Sequence, residues 1–444
     1  MIDKNIKIRP KVRDAIIQSL RAGVVPRTGH KHIQVGRVNE VQALVQDVER
    51  ISENGSGIRF IIGEFGSGKT FFLYLIRSIA LEKKLVTAHA DLNPDRRLHA
   101  TKGQARSLYQ ELMRNIATRS KPDGEALSNV VERFVTSALQ KAKQTGVSPE
   151  SVIHEKLHNL SELVGGYDFA EVVASYWRGY DSGDEELRTN AIRWLRGEFS
   201  TKTDARVALG VRSIINDSNV YDHLKLFARF VRLSGFSGLL ICLDELVNLY
   251  KLSNTRARNS NYEQILRILN DSLQGTASGL GFLMGGTPEF LMDTRKGLYS
   301  YPALQSRLCE NTFAGNGLID LSGPIVRLAN LMPEDIYVLL GKLRHIQSFG
   351  DENNYLIPDD GIKAFMAHCS KKIGDAYFRT PRNTITAFLN LMAVLEQNPQ
   401  VKWNDLIESV KIQTQSPDSN LLSENESYIH TENTEDDELT SFKL

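Results

Sequence analysis

The stretch FIIGEFGSGKTFFLYLIRSIA, residues 60–80, constrains the fold of this chain more than any other segment. An apolar run leads into a glycine-rich turn, and Lys-Thr and an apolar helical pattern follow. The turn fits G-x-x-x-x-G-K-[ST], a loop whose backbone N–H groups surround phosphate oxygens at a helix N-terminus. Its residues are Gly63, Glu64, Phe65, Gly66, Ser67, Gly68, Lys69 and Thr70.

This phosphate loop (P-loop) predicts a site for a nucleoside triphosphate. We expect Lys69 to reach the β- and γ-phosphates and the Thr70 hydroxyl to ligate Mg²⁺. The alternative is an ordinary glycine-rich turn before an exposed lysine. The apolar strand before the loop and the helix after it favour the nucleotide interpretation.

A pair of acids ends the apolar stretch GLLICLDE, residues 238–245. A buried strand carries an acid most readily at its end, where the side chain meets a ligand. Asp244 would hold Mg²⁺, and Glu245 would polarise the attacking water. Such a pair alone is also common as an ordinary strand end. Together with the P-loop, and without an N-K-x-D motif, it predicts an ATPase rather than a GTPase-type switch.

Strands that alternate with helical patterns predict an α/β fold with a mostly parallel sheet. We expect a P-loop NTPase core, a long helical insertion and a C-terminal all-helical lid. The predicted segments are an N-terminal helical segment 1–28, the core 29–100 and 236–324, the insertion 101–235, the lid 325–411 and an acidic tail 412–444. The tail is too polar to bury a core and predicts disorder, either without a role or as a contact peptide for a partner.

Composition excludes several classes of protein. The formal net charge is +1 over 444 residues, which gives no global signal for nucleic acid or membrane. No stretch approaches the ~20 apolar residues that span a bilayer, so we expect a cytoplasmic protein without membrane contact. Cys242, Cys309 and Cys369 lie far apart within apolar stretches and are expected to be buried thiols.

The motifs together resemble a known family. IQVGRVNE, IIGEFGSGKTFFL, GLLICLDEL, GFLMGGTPEF, ALQSRL and RTPR, with YWRGY and AIRWLRGE, are similar to the BREX-system ATP-binding proteins called BrxD. That P-loop family includes the ATPase of the Shango anti-phage system. It in turn resembles AAA+ ATPases of the origin-binding, Cdc6-like initiator type. Those initiators carry a winged-helix DNA reader after the lid, and no such pattern follows residue 411 here.

The AAA+ resemblance implies further site residues. The segment containing Val35 and Arg37 resembles the box that packs near adenine; otherwise it is an ordinary helix entry. Thr287 matches the sensor 1 position, or it caps the next helix. Arg307 lies where these ATPases present an arginine finger to a neighbouring subunit, or it is a surface arginine. Arg382, with Arg379 as the alternative, matches sensor 2 in the lid.

The insertion is rich in arginine and aromatic residues, which suit phosphate binding and base stacking. The alternative is a helical subdomain whose tryptophans, Trp177 and Trp194, are core residues and whose arginines are solvated. The arginines are Arg96, Arg97, Arg106, Arg114, Arg119, Arg178, Arg188, Arg193, Arg196, Arg206 and Arg212, and further aromatic residues are Tyr176 and Tyr180.

The resemblance implies an ATP- and Mg²⁺-dependent component of a bacterial anti-phage defence system. ATP turnover would drive the assembly or action of a partner complex on DNA. The alternative is an ATP-dependent switch or loader that recruits a helicase with little turnover of its own. The implied partners are further copies of the chain, a helicase, a TerB-domain protein or other BREX components, with DNA as a further ligand.

Overall fold

The computed structural model describes residues 8–314, 319–373 and 381–407. They form two compact units, Val25–Asn330 and a smaller unit that joins residues 8–24 to residues 331–407. The predicted disordered tail and the alternative sensor residue Arg379 lie outside the described residues. No described helix is long and apolar enough to cross a membrane.

Five parallel strands form one sheet in the larger unit, in the order β2-β3-β4-β1-β5. They are β1 Gly57–Ile62, β2 Val86–Asp91, β3 Leu239–Asp244, β4 Leu280–Gly286 and β5 Ile325–Arg327. The residues of β1, β3 and β4 are all buried, as expected for a parallel sheet covered on both faces. The predicted α/β fold with a parallel sheet, and with the P-loop directly after its first strand, is confirmed.

Helices cover the sheet, build the insertion and form the smaller unit. In chain order they are α1 Pro10–Arg21, α2 His30–Ile33, α3 Val38–Ser52, α4 Lys69–Glu82, α5 Gln104–Arg114, α6 Leu127–Thr145, α7 Pro149–Leu157, α8 Gly166–Ser182, α9 Glu185–Leu195, α10 Lys202–Leu209, α11 Val220–Leu233, α12 Val247–Tyr250, α13 Thr255–Leu273, α14 Pro288–Met292, α15 Pro302–Leu308, α16 Pro333–Gln347, α17 Asp359–Ile373, α18 Pro381–Gln397 and α19 Trp403–Ile407.

The parallel arrangement brings the important strand ends to one edge of the sheet. β4 lies between β1, which leads into the P-loop, and β3, which ends in the acid pair. Asp91 at the end of β2 is directly opposite Asp244 at the end of β3. Ligands of open α/β sheets bind outside these carboxyl ends, so the fold itself places the candidate site here.

Strand β5 differs from the sequence prediction, which had begun the helical lid at residue 325. Ile325 and Val326 are buried, and the strand pairs with β1 from Phe60 to Ile62. Three residues are too few to produce a visible alternation pattern. The strand exists because it completes the edge of the sheet beside β1.

The insertion shares one hydrophobic core with the sheet. Trp194 and Phe134 are fully buried in that core, Trp177 packs at its border, and the Trp194 indole donates to the Ser213 carbonyl at 2.9 Å. Several insertion arginines form ion pairs with nearby acids, among them Arg96–Glu111, Arg178–Glu171, Arg188–Glu185 and Arg193–Glu198. These contacts favour the helical-subdomain interpretation for Trp194 and for the paired arginines.

In the smaller unit, α1 packs against α18 and α16. Its apolar face buries Ile16 and Ile17, and Arg13 forms an ion pair with Glu396 at 2.9 Å. The sequence treated the N-terminal segment as separate. A single amphipathic helix has no core of its own, so α1 buries its apolar face against these C-terminal helices.

The prediction of three buried thiols is wrong for one cysteine. Cys242 and Cys369 are buried, whereas Cys309 is exposed, and all three are free. Leu304 and Leu308 are the buried residues of α15. Cys309 follows them in an extended conformation, ends the helix and is exposed to solvent. Its apolar neighbours in sequence therefore did not indicate burial.

Candidate nucleotide-binding site

The P-loop connects β1 directly to α4. Gly66 and Gly68 have φ angles of 73° and 89°, in the left-handed region that favours glycine. At Gly63 a side chain would not fit, because a Cβ atom there would lie 2.6 Å from the Ser67 hydroxyl. The loop therefore curls tightly and delivers the chain to the N-terminus of a 14-residue helix. That helix end, with its free N–H groups and dipole, favours an anion.

Lys69 lies along the loop that precedes it. Its Nζ donates to the carbonyl oxygens of Gly63 at 2.8 Å and Glu64 at 2.9 Å, and it lies 5.4 Å from the centre of the Phe65 ring. Burial lowers the pKa of Lys69, and the charges of Asp244 and other acids oppose that shift. The two carbonyl oxygens that accept from this half-buried ammonium group carry no formal charge. A phosphate group at the loop would supply a negative charge for it.

Thr70 and Asp244 are in direct contact. The Thr70 hydroxyl donates to Oδ2 of Asp244 at 2.6 Å, although 174 residues separate the two positions. Oδ1 of Asp244 accepts from the backbone N–H of Glu245 at 2.9 Å. Gly285 on the neighbouring β4 leaves room for this carboxylate, since a Cβ atom there would lie 2.3 Å from Oδ1. Both hydrogen bonds and the missing side chain fix the position of Asp244.

Glu245 has an unusual backbone conformation, with a φ angle of 57°. A non-glycine residue in this region is strained, and such residues concentrate at functional sites. The turn exposes the Glu245 side chain just beyond the buried Asp244. Partial removal from water and the charge of Asp244 raise the pKa of Glu245. A carboxylate with a raised pKa is a better proton acceptor for a water molecule.

The segment that contains Val35 and Arg37 contacts the P-loop through Arg37. Its Nη2 donates to the Ser67 carbonyl at 2.6 Å and to the Ala329 carbonyl at 3.0 Å. Arg37 has a φ angle of 55°, and α3 begins at the next residue. Val35, two residues earlier, is half-buried. The segment predicted to lie near the base therefore contacts the loop that would hold the phosphates.

Thr287 follows β4 and is buried, and its hydroxyl accepts from the Phe290 N–H at 3.4 Å as the N-cap of α14. This is the capping alternative, and the sensor role stays a prediction. Arg307 is exposed on α15, where its Nε donates to Asn270 Oδ1 at 2.7 Å. Arg382 lies at the start of α18 beside Gly23 in the smaller unit. Arg307 and Arg382 also stay predictions as finger and sensor.

Two acids near the site were missed in the sequence. Asp91 is opposite Asp244 in the sheet, and partial removal from water together with the charge of Asp244 raises its pKa. Glu289 on α14 is close enough for its charge to act on Lys69. An acid at the end of an apolar strand, as in VTAHAD, is the signal that marked Asp244 and could have marked Asp91.

The oxygen atoms of Thr70 and Asp244 fit a Mg²⁺ ion. Hydroxyl and carboxylate oxygens are the ligands that Mg²⁺ prefers, and it usually completes its shell with phosphate oxygens and water. Among the described residues, no group of three or more His, Cys, Asp and Glu side chains forms a metal cluster of its own. A Mg²⁺ ion here would thus depend on a bound nucleotide, which is the usual arrangement at a P-loop.

Comparison with known proteins agrees with this geometry. A family model described as BREX system ATP-binding protein BrxC/D matches residues 8–411. No curated protein matches the chain. One similar solved structure is the Aeropyrum pernix ORC2 protein in its ADPNP–ADP complexes, with 15% identity and a TM-score of 0.43. That match covers 85% of this chain and 67% of the ORC2 chain, and nothing about function follows from so remote a likeness.

Proposed function

Because the chain belongs to the BREX-system ATP-binding protein BrxC/D family, we propose that it hydrolyses the ATP that it binds. Hydrolysis would couple to the assembly or action of a partner complex on DNA in bacterial defence against phage. The observation that carries the proposal is the contact between Thr70 and Asp244, with Glu245 next to it. These groups supply the cation ligands and the proton acceptor that phosphoryl transfer to water requires.

Each residue has a defined task in this reaction. The N–H groups of the P-loop and Lys69 bind the phosphates, and Thr70 and Asp244 hold a Mg²⁺ ion. That ion, when bound with ATP, neutralises charge on the β- and γ-phosphates. Glu245 orients a water molecule and accepts its proton, and its side chain, beyond the buried Asp244, is exposed to solvent. No covalent intermediate on the protein is needed.

ATP binding and turnover by the full-length protein test this proposal, with and without Mg²⁺. We expect Lys69→Ala to lower ATP affinity by ~100-fold or more, because Lys69 supplies the positive side chain of the P-loop itself. Lys83→Ala is the matched control, since Lys83 follows the other end of α4 and forms an exposed ion pair with Glu49. Wild-type protein that neither binds nor turns over ATP, even with its partners and DNA, would overturn the proposal.

A second candidate is an ATP-dependent switch or loader that recruits a helicase and hydrolyses ATP slowly. It is favoured by the local hydrogen bonds of Arg307 to Asn270 and to the Ala303 carbonyl, which engage this arginine within its own chain. Basal turnover with and without the partner separates the two. A coupled ATPase accelerates when the partner is added, whereas a switch retains ATP and keeps the partner bound.

Assembly is part of the same proposal. We infer that copies of the chain associate so that Arg307 of one copy reaches the nucleotide of the next. The expected partners are a helicase, a TerB-domain protein or other BREX components, with DNA as the shared substrate. Size measurement with ATP and with each partner tests this association.

A further inference from the structure

A basic pocket lies at the end of α4 opposite the P-loop, entirely within the larger unit. Its volume is about 590 Å³. It is lined by Lys84, Thr118, Arg119, Ser120, Asn129 and Arg133, with Gly235 and Phe236 at one side. Lys84 follows α4 and precedes β2, so roughly 20 Å of helix separates the pocket from Lys69. It is therefore distinct from the candidate nucleotide site.

The pocket gathers positive charge without a balancing acid. Lys84, Arg119 and Arg133 come from three separate elements and are all exposed. The lining contains no carboxylate. Among the described residues, none of these three cations forms an ion pair. Like charges held together repel one another, so an anion in the pocket would relieve that repulsion. By contrast, Arg178, Arg188 and Arg193 of the insertion each form an ion pair with a nearby glutamate.

The turn that presents Arg119 is firmly built. Thr118 and Lys121 exchange backbone hydrogen bonds of 3.1 Å across it. Ala117 pairs in antiparallel fashion with Thr87 of β2, which ties the turn to the edge of the sheet. The buried Arg77 of α4 donates to the Thr87 hydroxyl at 3.2 Å and to the Pro122 carbonyl at 2.7 Å. The backbone that carries Arg119 is thus held in place before any ligand arrives, which lowers the entropy cost of binding.

Arg133 is oriented by its own neighbours. Its guanidinium carbon lies 4.6 Å from the centre of the Phe236 ring, and its Nη2 donates to the Gly235 carbonyl at 3.2 Å. Stacking on an aromatic ring holds the plane of the guanidinium group and leaves other N–H donors for a ligand. Phe236 itself is only half-buried. The pocket thereby combines an oriented guanidinium group with an aromatic surface.

We propose that the basic pocket binds the phosphodiester backbone of a single-stranded nucleic acid. Arginine, lysine, hydroxyl and amide donors are the side chains that contact phosphate oxygens in nucleic-acid complexes, and this lining contains all four. An open, basic surface with an aromatic ring suits a strand that passes over it. The net charge of +1 over the whole chain hid this local concentration.

The test measures binding of a fluorescent oligothymidylate of about 20 nucleotides to the full-length protein without ATP, over a range of salt concentrations. The variant Lys84→Ala/Arg119→Ala/Arg133→Ala removes the three cations. We expect its affinity at low salt to fall by ~10-fold or more. The slope of log affinity against log salt should decrease by about 2, since each lost contact to a single strand contributes roughly 0.7.

The matched control is Lys202→Ala/Arg206→Ala/Arg256→Ala, which removes one lysine and two arginines that are exposed elsewhere in the larger unit. Wild-type affinity and salt slope in this control support the proposal. Unfolding curves that coincide with wild type show that a loss in the first variant is local. Duplex DNA, RNA and inorganic phosphate as competitors identify the form of phosphate that the pocket prefers.

Three results would overturn the proposal: no binding by wild type, equal binding by both triple variants, or stronger competition by a polyglutamate peptide than by the oligonucleotide. The last result would make the pocket a site for an acidic protein segment. Since ATP is left out, failure here says nothing about the proposed hydrolysis.

Discussion

The candidate site has two halves that are built differently. The phosphate half, which consists of the P-loop, Asp244 and Glu245, has its side chains already in contact with one another. Thr70 reaches Asp244 across 174 residues of sequence, and Lys69 lies on the loop carbonyls.

The trigger half consists of Thr287 and Arg307, both in the larger unit, and these residues have local contacts instead. Thr287 caps α14, and Arg307 is hydrogen-bonded to Asn270. We therefore expect a single chain to bind the nucleotide without a partner. Stimulated turnover is expected to need an added element, from a second copy or a partner.

Among the variants of the two halves, Glu245→Gln is expected to have the largest effect. The amide keeps the size of the side chain but cannot accept a proton from water, so we expect hydrolysis to fall by ~100- to 1000-fold. ATP affinity should stay within about threefold, because the phosphate contacts remain. Single-turnover hydrolysis and ATP retention by the purified protein measure the two quantities separately.

Glu64→Gln is the control for that variant. Glu64 is an exposed P-loop carboxylate whose charge also acts on Lys69. If both variants lost turnover equally, the effect would be one of local charge, and Glu245 would have no special role.

Arg307→Ala tests the trigger half. At low protein concentration we expect little change, because the hydrogen bonds of the arginine to Asn270 and to a helix carbonyl lie within its own chain. In the assembled state an arginine that reaches a neighbouring nucleotide stabilises the transition state, and we expect its loss to lower turnover by ~100-fold. Turnover as a function of protein concentration provides the measurement.

Asn270→Ala separates this role from a structural one, since it breaks the same hydrogen bond and leaves the arginine in place. We expect it to keep concentration-dependent turnover. Full turnover by assembled Arg307→Ala would remove Arg307 from the mechanism.

Gly285→Ala perturbs the phosphate half through Asp244, from the neighbouring strand β4. The added methyl group would lie 2.3 Å from Asp244 Oδ1, so the carboxylate must leave its place beside Thr70. We expect Mg²⁺-dependent ATP affinity to fall by ~10-fold, as for other displaced metal-site groups. Calorimetric titration with ATP, with and without Mg²⁺, detects the change.

Gly281→Ala is the matched control at the other end of β4, where the methyl group would meet Ile51 instead. It should destabilise the fold without lowering affinity. Equal losses of affinity in the two variants would mean that the effect of Gly285→Ala is general unfolding.

The phosphate half was predictable because short, contiguous sequence patterns mark its elements. A strand, a glycine turn and a helix fit within residues 57–82, and the acid pair ends a second short strand. By contrast, Asp91 meets Asp244 only through the register of β2 against β3, and the whole insertion separates these strands. No local pattern specifies such a register.

Other features depended on partners distant in sequence. β5 consists of three residues and exists through its pairing with β1. The cations of the basic pocket come from three separate elements, so neither a local sequence pattern nor the net charge indicated that they lie together. Thr287 shows a further limit of sequence-based prediction. A threonine that caps a helix and one that senses a phosphate occur in the same sequence pattern, so the pattern does not distinguish the two roles.

The smallest expected effect concerns the support of the phosphate half. His30 is buried and stacks on Tyr74 of α4, with ring centres 5.8 Å apart. Burial lowers the pKa of His30 to about 4, and the charge of Arg77 acts in the same direction. The unfolded chain therefore binds a proton between pH 6.5 and 4 that the folded chain excludes. Stability from this group is complete above pH 6.5 and is lost as the pH falls toward 4.

His30→Phe keeps an aromatic ring beside Tyr74 but cannot be protonated. From pH 6.5 to pH 5 the wild type should lose about 2 kcal/mol of unfolding free energy through this histidine, and the variant should lack that part of the loss. Denaturant unfolding at both pH values measures the difference. His32→Phe, at a half-buried neighbouring position on α2, is the control and should retain the full loss. An unchanged pH dependence in His30→Phe would mean that His30 takes up its proton as readily in the folded chain as in the unfolded one, and that α4 then has a positive charge beside Tyr74 at pH 5.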